Sequence, residues 1–136
     1  MERNPDRRFT DFVEFLRELV TELNYLSKEG GIVLVEGKRD AAAIRKVGYD
    51  GPFLSISTIK KHDSREKLAT HRRVVILTDL DREGGSLATK YSKILKHDGH
   101  LISLTERKRL LRASRGVFRH IENLKRFGHL VDAYET

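Results

Sequence analysis

The stretch Val74-Val75-Ile76-Leu77-Thr78-Asp79-Leu80-Asp81-Arg82-Glu83-Gly84-Gly85 constrains this chain more than any other. Four apolar residues, three of them β-branched, read as a strand buried on both faces. Two carboxylates, Asp79 and Asp81, then emerge at its C-terminal end, which in open α/β sheets is the end where ligands bind. Residues two apart in an extended segment point to the same side. Carboxylates held side by side repel unless a cation neutralises them, and oxygen-only ligands suit Mg²⁺ or Mn²⁺ better than zinc. A polar turn after a strand would also carry such a pair, so a second stretch has to decide.

That second stretch is Ile32-Val33-Leu34-Val35, again strand-like, which ends in Glu36-Gly37-Lys38-Arg39-Asp40. Asp40 to Val47 reads as a helix with Asp40 at its N-cap and Gly48 beyond its end. A short strand at 52–56 and a loop from Ser57 to Asp63, carrying Lys60, Lys61 and His62, follow. Ser64 to His71 reads as a short polar helix, Ser86 to His97 as a longer one, and 100–104 as a fourth strand. Ahead of all this, Phe9, Phe12, Val13, Leu16, Leu19, Val20, Leu23 and Leu26 recur at helical spacing. They predict an amphipathic helix over about 6–28, begun by Asn4-Pro5 and ended by Gly30-Gly31. Residues 106–113 and 116–127 predict two further helices.

Strands alternating with helices at short spacing imply a parallel sheet, here of four strands at 31–36, 52–56, 74–78 and 100–104, with helices on both faces. If the strands of Glu36 and Asp79 are neighbours, three carboxylates converge on one sheet edge. Gly37 and Gly84 are expected to take positive φ or to let backbone approach a ligand. Helices starting near Asp40 and Ser86 would turn their N-termini, which favour phosphate, to the same edge. Carboxylates for metal beside amides for phosphate suit metal-assisted phosphoryl transfer.

The length of 136 residues suits one domain, read as an N-terminal helical extension (1–29), a core (30–105) and a basic helical extension (106–136). The formal net charge is +7, and the basic excess lies in the second and third of these segments. A basic chain with a local acidic cluster suits a polyanion gripped by Lys and Arg. No Cys is present, so a disulfide framework and a thiolate zinc site are excluded. No run approaches the ~18 apolar residues of a membrane span, and no apolar stretch follows the N-terminus, so the expected location is the cytoplasm.

The Glu36-Gly37-Lys38-Arg39-Asp40 segment after one strand, and Asp79-x-Asp81 with Gly84 after a later one, resemble the Toprim domain. Thr78 to Gly84 is similar to the Thr-Asp-Pro-Asp-Arg-Glu-Gly of type IA topoisomerases, with Leu80 for the Pro and Gly85 in place of a further Glu. Val35 to Asp40 is closer to the ribonuclease that matures 5S ribosomal RNA. The resemblance covers residues 30–105 and implies a Rossmann-like α/β fold. It implies Glu36 as general acid/base or metal ligand, and Asp79 and Asp81 as ligands of one or two Mg²⁺, with Mn²⁺ as a substitute. Asp40 would support the Glu36 loop, and Lys38 and Arg82 would meet phosphates.

Lys60 and Lys61 leave the same edge, and Arg107 and Arg112 belong to a basic outer face of the C-terminal helices, so all four are expected to contact phosphate. Haloacid-dehalogenase-like phosphatases carry their Asp-x-Asp on the first strand, and response-regulator receivers their acidic pair after the first strand; here the pair follows the third. The chain is too short for the tyrosine-bearing domain of a topoisomerase, and without Cys it lacks the zinc site of the related primases. Six histidines are present, and no pair has the spacing of a metal site. Two functions fit: a metal-dependent nuclease acting on RNA or DNA, RNA slightly favoured, or a metal-holding module that binds nucleic acid or a protein partner without turnover.

Overall fold

A computed structural model describes residues 5–62, 68–115 and 117–133. Helix α1 (Pro5–Lys28) leads into β1 (Gly31–Val35), α2 (Lys38–Lys46), β2 (Phe53–Ser55) and α3 (Ile56–His62). Then come β3 (Arg73–Ile76), α4 (Arg82–His97), β4 (Leu101–Ser103) and α5 (Thr105–Ser114). The chain ends in a 3₁₀ segment (Ile121–Phe127) and α6 (Gly128–Ala133). The four strands form one parallel sheet in the order β2-β1-β3-β4. β1 and β3 are therefore neighbours, with Ile32 opposite Val74 and Leu34 opposite Ile76.

Strand alternation explains the two cores. Successive side chains point to opposite faces of a sheet. Val33, Val35, Val75 and Leu77 pack on one face with α1, α2, Leu110 of α5 and the C-terminal segment. Ile32, Leu34, Val74 and Ile76 pack on the other with Ala88, Tyr91 and Leu95 of α4 and with Leu68. Both central strands are thus covered on both sides, which is why they read as unbroken apolar runs. α2, which follows β1, and α4, which follows β3, lie on opposite faces. That places the reversal of strand order between β1 and β3, and the crevice such a reversal opens lies at their C-terminal ends.

Several details differ from the sequence expectation. Helix α2 has Gly37, not Asp40, as its N-cap, with Asp40 in its first turn, and α4 begins at Arg82 rather than at Ser86. The stretch after β2 is not a loop: residues 56–62 are helical, and Ser55 caps the turn by accepting from the Thr58 N–H (3.2 Å) and bonding the Thr58 hydroxyl (2.7 Å). The expected helix over 116–127 is 3₁₀ from Ile121 and non-helical over 117–120. This segment is held by packing rather than by helical propensity. Phe118 and Phe127 close on Phe12 of α1, with ring centroids 5.5 and 4.9 Å away. Asn4, Asp63 of the expected loop, residues 64–67 of the expected polar helix, and Gly116 lie outside the described residues.

The aromatic cluster fixes how the C-terminal segment lies over the sheet. Phe12→Ala should cost about 3 kcal/mol or more, the usual range for truncating a buried Phe. Urea denaturation checks this, and a loss under about 1 kcal/mol would show that the segment is not anchored there.

Candidate metal centre

Glu36 is the first residue beyond β1. Its Oε2 accepts the backbone N–H of Asp79 at 2.6 Å, and its carbonyl accepts the N–H of Ser57 (3.2 Å). One residue therefore ties together the ends of three strands. The next backbone amide, Gly37 N–H, is taken by Asp40 Oδ2 (3.0 Å). Asp40 is buried, also accepts the Glu122 N–H, and burial raises its carboxyl above the ordinary range. Glu36 is raised too: desolvation is the largest cause, the Asp79 N–H works against it, and the charges of Asp79, Asp40 and Asp81 add to it.

The loop after β3 is built around Gly84. Thr78 Oγ1, fully buried, donates to the Gly84 carbonyl (2.7 Å), and Asp81 Oδ1 accepts the Gly84 N–H (2.7 Å) as N-cap of α4. A Cβ on Gly84 would collide with the carbonyl and backbone nitrogen of Asp79. Close approach, not positive φ, is thus what demands glycine here. Gly37 has φ −150°, an extended value open to any residue, and a Cβ there would meet nothing within 4 Å, so neither reason expected for a glycine at this position applies.

The C-terminal segment completes the loop. Arg107 of α5 donates from Nε to Thr78 O (3.3 Å) and from a terminal nitrogen to Asp79 O (2.5 Å). Leu80 N–H donates to Arg119 O (2.6 Å), and Ile121 N–H to Asp79 Oδ1 (2.8 Å). Leu80 stands where topoisomerases carry Pro, and a Pro could not make this bond; the Leu80 side chain is also buried in the same core as Phe118 and Ile121. His120, between the two anchors, brings Nδ1 to 3.3 Å from Asp79 Oδ2 and 4.0 Å from Asp81 Oδ2. Its hydrogen bond to Asp79, and then the charge of Asp79, raise its pKa.

Asp79, Asp81 and His120 each offer a ligand atom, all within 4.8 Å of one another. Ligands on one ion at about 2.1 Å are separated by about 3 to 4.2 Å, so the donor set fits a divalent cation with little adjustment. The sequence reading expected Glu36 as the third member. In space Glu36 adjoins the pair through the Asp79 amide, and His120 brings a further ligand atom within 4.8 Å of those of both aspartates. No spacing in the sequence announces His120, because it arrives from a segment 39 positions after Asp81 through tertiary packing.

The expected phosphate contacts divide. Lys38 and Arg82, the first residues of α2 and α4, are exposed, as are Lys60 and Arg112. The Lys61 side chain lies outside the described residues. Arg107, expected on an outer basic face, is instead half-buried against the loop backbone. Burial lowers its pKa, and the charges of Asp81, Glu36 and Asp79 oppose that shift, so it acts as a fixed counter-charge to the three carboxylates. Arg109 is engaged as well, paired with Glu22 of α1 at 2.6 Å. Among the described residues no helix is long and apolar enough to cross a membrane.

The raised Glu36 has a consequence for stability. A carboxyl with a higher pKa folded than unfolded binds protons more readily in the folded state, so its share of stability falls as pH rises through that window. With EDTA present, Glu36→Gln should therefore melt above wild type at pH 7, and the gap should close as pH drops below about 4.5. Gln keeps an oxygen for the Asp79 N–H. A gap that stays constant with pH in thermal melts would contradict the burial argument.

Comparison with known proteins gives a concordant result. Residues 30–106 match the family model described as Toprim domain. A UPF0292 protein of Methanosarcina acetivorans is 34% identical over 113 residues, covering 82% of this chain and 78% of that protein. A UPF0292 protein of Methanocaldococcus jannaschii is 31% identical, covering 86% and 92%. A solved structure of a protein from Aquifex aeolicus superposes with a TM-score of 0.66 at 28% identity, over 78% of this chain and 94% of that one.

Proposed function

The chain belongs to the Toprim-domain family, among the UPF0292 proteins, and on that footing we propose that it is a Mg²⁺-dependent nuclease, with RNA favoured slightly over DNA. Toprim is a metal-binding, nucleic-acid-related fold. The observation that carries the reading is the relation of Glu36 to Asp79. A carboxyl with a raised pKa is fixed by the amide of the residue whose own carboxylate faces the cation position.

In this reading Asp79 and Asp81 hold Mg²⁺, or Mn²⁺, at the β1–β3 crevice. The bound ion would polarise a phosphoryl oxygen and offset charge in the transition state. Glu36 takes a proton from the attacking water or gives one to the leaving oxygen, and its upward shift brings its pKa toward the working pH. Asp40 keeps the Glu36 loop closed through Gly37. Lys38, Arg82, Lys60 and Arg112 supply exposed positive charge for the flanking phosphates, where each neutralised phosphate releases counterions. Arg107 keeps the Asp79 carbonyl in place rather than meeting substrate.

A second reading has its own support. The Asp79 carboxylate is already engaged by Ile121 N–H and His120, so part of the chain lies against the site. That arrangement would suit a module that holds metal and binds nucleic acid or a protein partner without turnover.

One experiment separates the two. Labelled structured RNA and DNA are incubated with wild type and Glu36→Gln in Mg²⁺ or Mn²⁺. The nuclease reading expects cleavage in wild type and a loss of about 100-fold or more in the variant. Substrate left intact by wild type with either ion would favour the binding module.

A further inference from the structure

We propose that His120 is a nitrogen ligand of the ion held by Asp79 and Asp81, and that the site consequently prefers Mn²⁺ and later first-row divalent ions to Mg²⁺. This rests on the metal-binding part of the reading above and on none of its turnover. It assigns to the C-terminal segment a part in coordination beyond that of the two carboxylates.

Four observations support it. First, the distances fit shared ligation: Nδ1 lies 3.3 Å from Asp79 Oδ2 and 4.0 Å from Asp81 Oδ2, within the span of cis to trans ligands about one small cation. Second, the residue is presented rather than merely nearby. The flanking bonds Leu80 N–H to Arg119 O (2.6 Å) and Ile121 N–H to Asp79 Oδ1 (2.8 Å) fix the backbone on both sides of His120. Third, Phe118 and Ile121 are buried on either side, so the exposed imidazole has its direction set by packed neighbours. Fourth, the Ile121 N–H occupies Asp79 Oδ1 and leaves Oδ2, the oxygen facing His120, for an ion.

The preference follows from donor chemistry. Mg²⁺ takes oxygen ligands and keeps several waters, whereas imidazole nitrogen strengthens binding in the order of the first-row series. A site of two carboxylates alone would discriminate weakly between Mg²⁺ and Mn²⁺. Adding one imidazole tilts it toward Mn²⁺ and beyond. The hydrogen bond that His120 makes in the absence of metal also holds the imidazole against the carboxylate pair, so ligation requires little ordering of the C-terminal segment.

The probe is Mn²⁺ alone, bound to the full chain and read by electron spin-echo modulation, with Mn²⁺ and Mg²⁺ affinities from calorimetry. Wild type should show the ¹⁴N modulation of a coordinated imidazole, and His120→Gln should lose it. Mn²⁺ affinity should fall about tenfold in that variant, with Mg²⁺ affinity changed much less. Asp79→Asn should abolish binding of both ions. Mn²⁺ bound in an Asp79-dependent way without nitrogen modulation, or with modulation that survives in His120→Gln, overturns the assignment of His120 and leaves the carboxylate site standing. Mn²⁺ that fails to bind, or that binds equally to Asp79→Asn, overturns both.

Discussion

The backbone of Asp79 is held on every side. Its N–H donates to Glu36, its carbonyl accepts from Arg107, Gly84 packs directly beneath it, and its carboxylate accepts from Ile121. These contacts come from the end of β1, from α5, from the start of α4 and from the C-terminal segment. The loop after β3 is therefore the place where otherwise separate elements meet. Parallel pairing of β1 with β3 is what permits it, because it sets Glu36 and Asp79 beyond adjacent strand ends. An exposed loop with two acidic side chains would ordinarily be mobile; here the surroundings dictate its conformation.

Such a loop concentrates negative charge, and the fold offsets it unevenly. Asp40 and Asp81 are stabilised by backbone N–H groups of Gly37 and Gly84. Arg107 brings a half-buried positive charge against the carbonyl side of the loop. The carboxyl of Glu36 is raised mainly by burial, and the charges of Asp79, Asp40 and Asp81 add to that shift. A site with surplus negative potential and pre-set ligand directions binds a cation with less reorganisation than a flexible one. Lys38 and Arg82, exposed at the starts of α2 and α4, flank the acidic strand ends, an arrangement suited to a polyanion.

Much of this was legible in the sequence. Unbroken apolar runs gave both central strands, since both faces of each are covered. The two strand-end motifs placed Glu36, Asp79 and Asp81 beyond strands that prove adjacent, and Asp40 beside the first loop, where it accepts the Gly37 N–H. What escaped were features set by tertiary packing. His120 reaches the site because Phe118 and Phe127 dock on Phe12, a contact across more than a hundred residues. Arg107 belongs to a basic stretch that reads as solvent-facing, yet it turns inward because the Thr78 and Asp79 carbonyls face α5. The helix after β2 is not legible in the sequence because its cap, Ser55, lies at the end of a strand. Leu80 departs from the family pattern, and its N–H, bonded to Arg119 O, and its buried side chain explain that departure physically.

The central claim is that the packed loop after β3 presents Asp79 and Asp81 to one divalent ion. Crystals grown with MnCl₂, with data collected on both sides of the manganese absorption edge, test it most directly. The account predicts an anomalous difference peak about 2.2 Å from carboxylate oxygens of both residues. A map with no peak there, or with manganese only at other surface carboxylates, would contradict it.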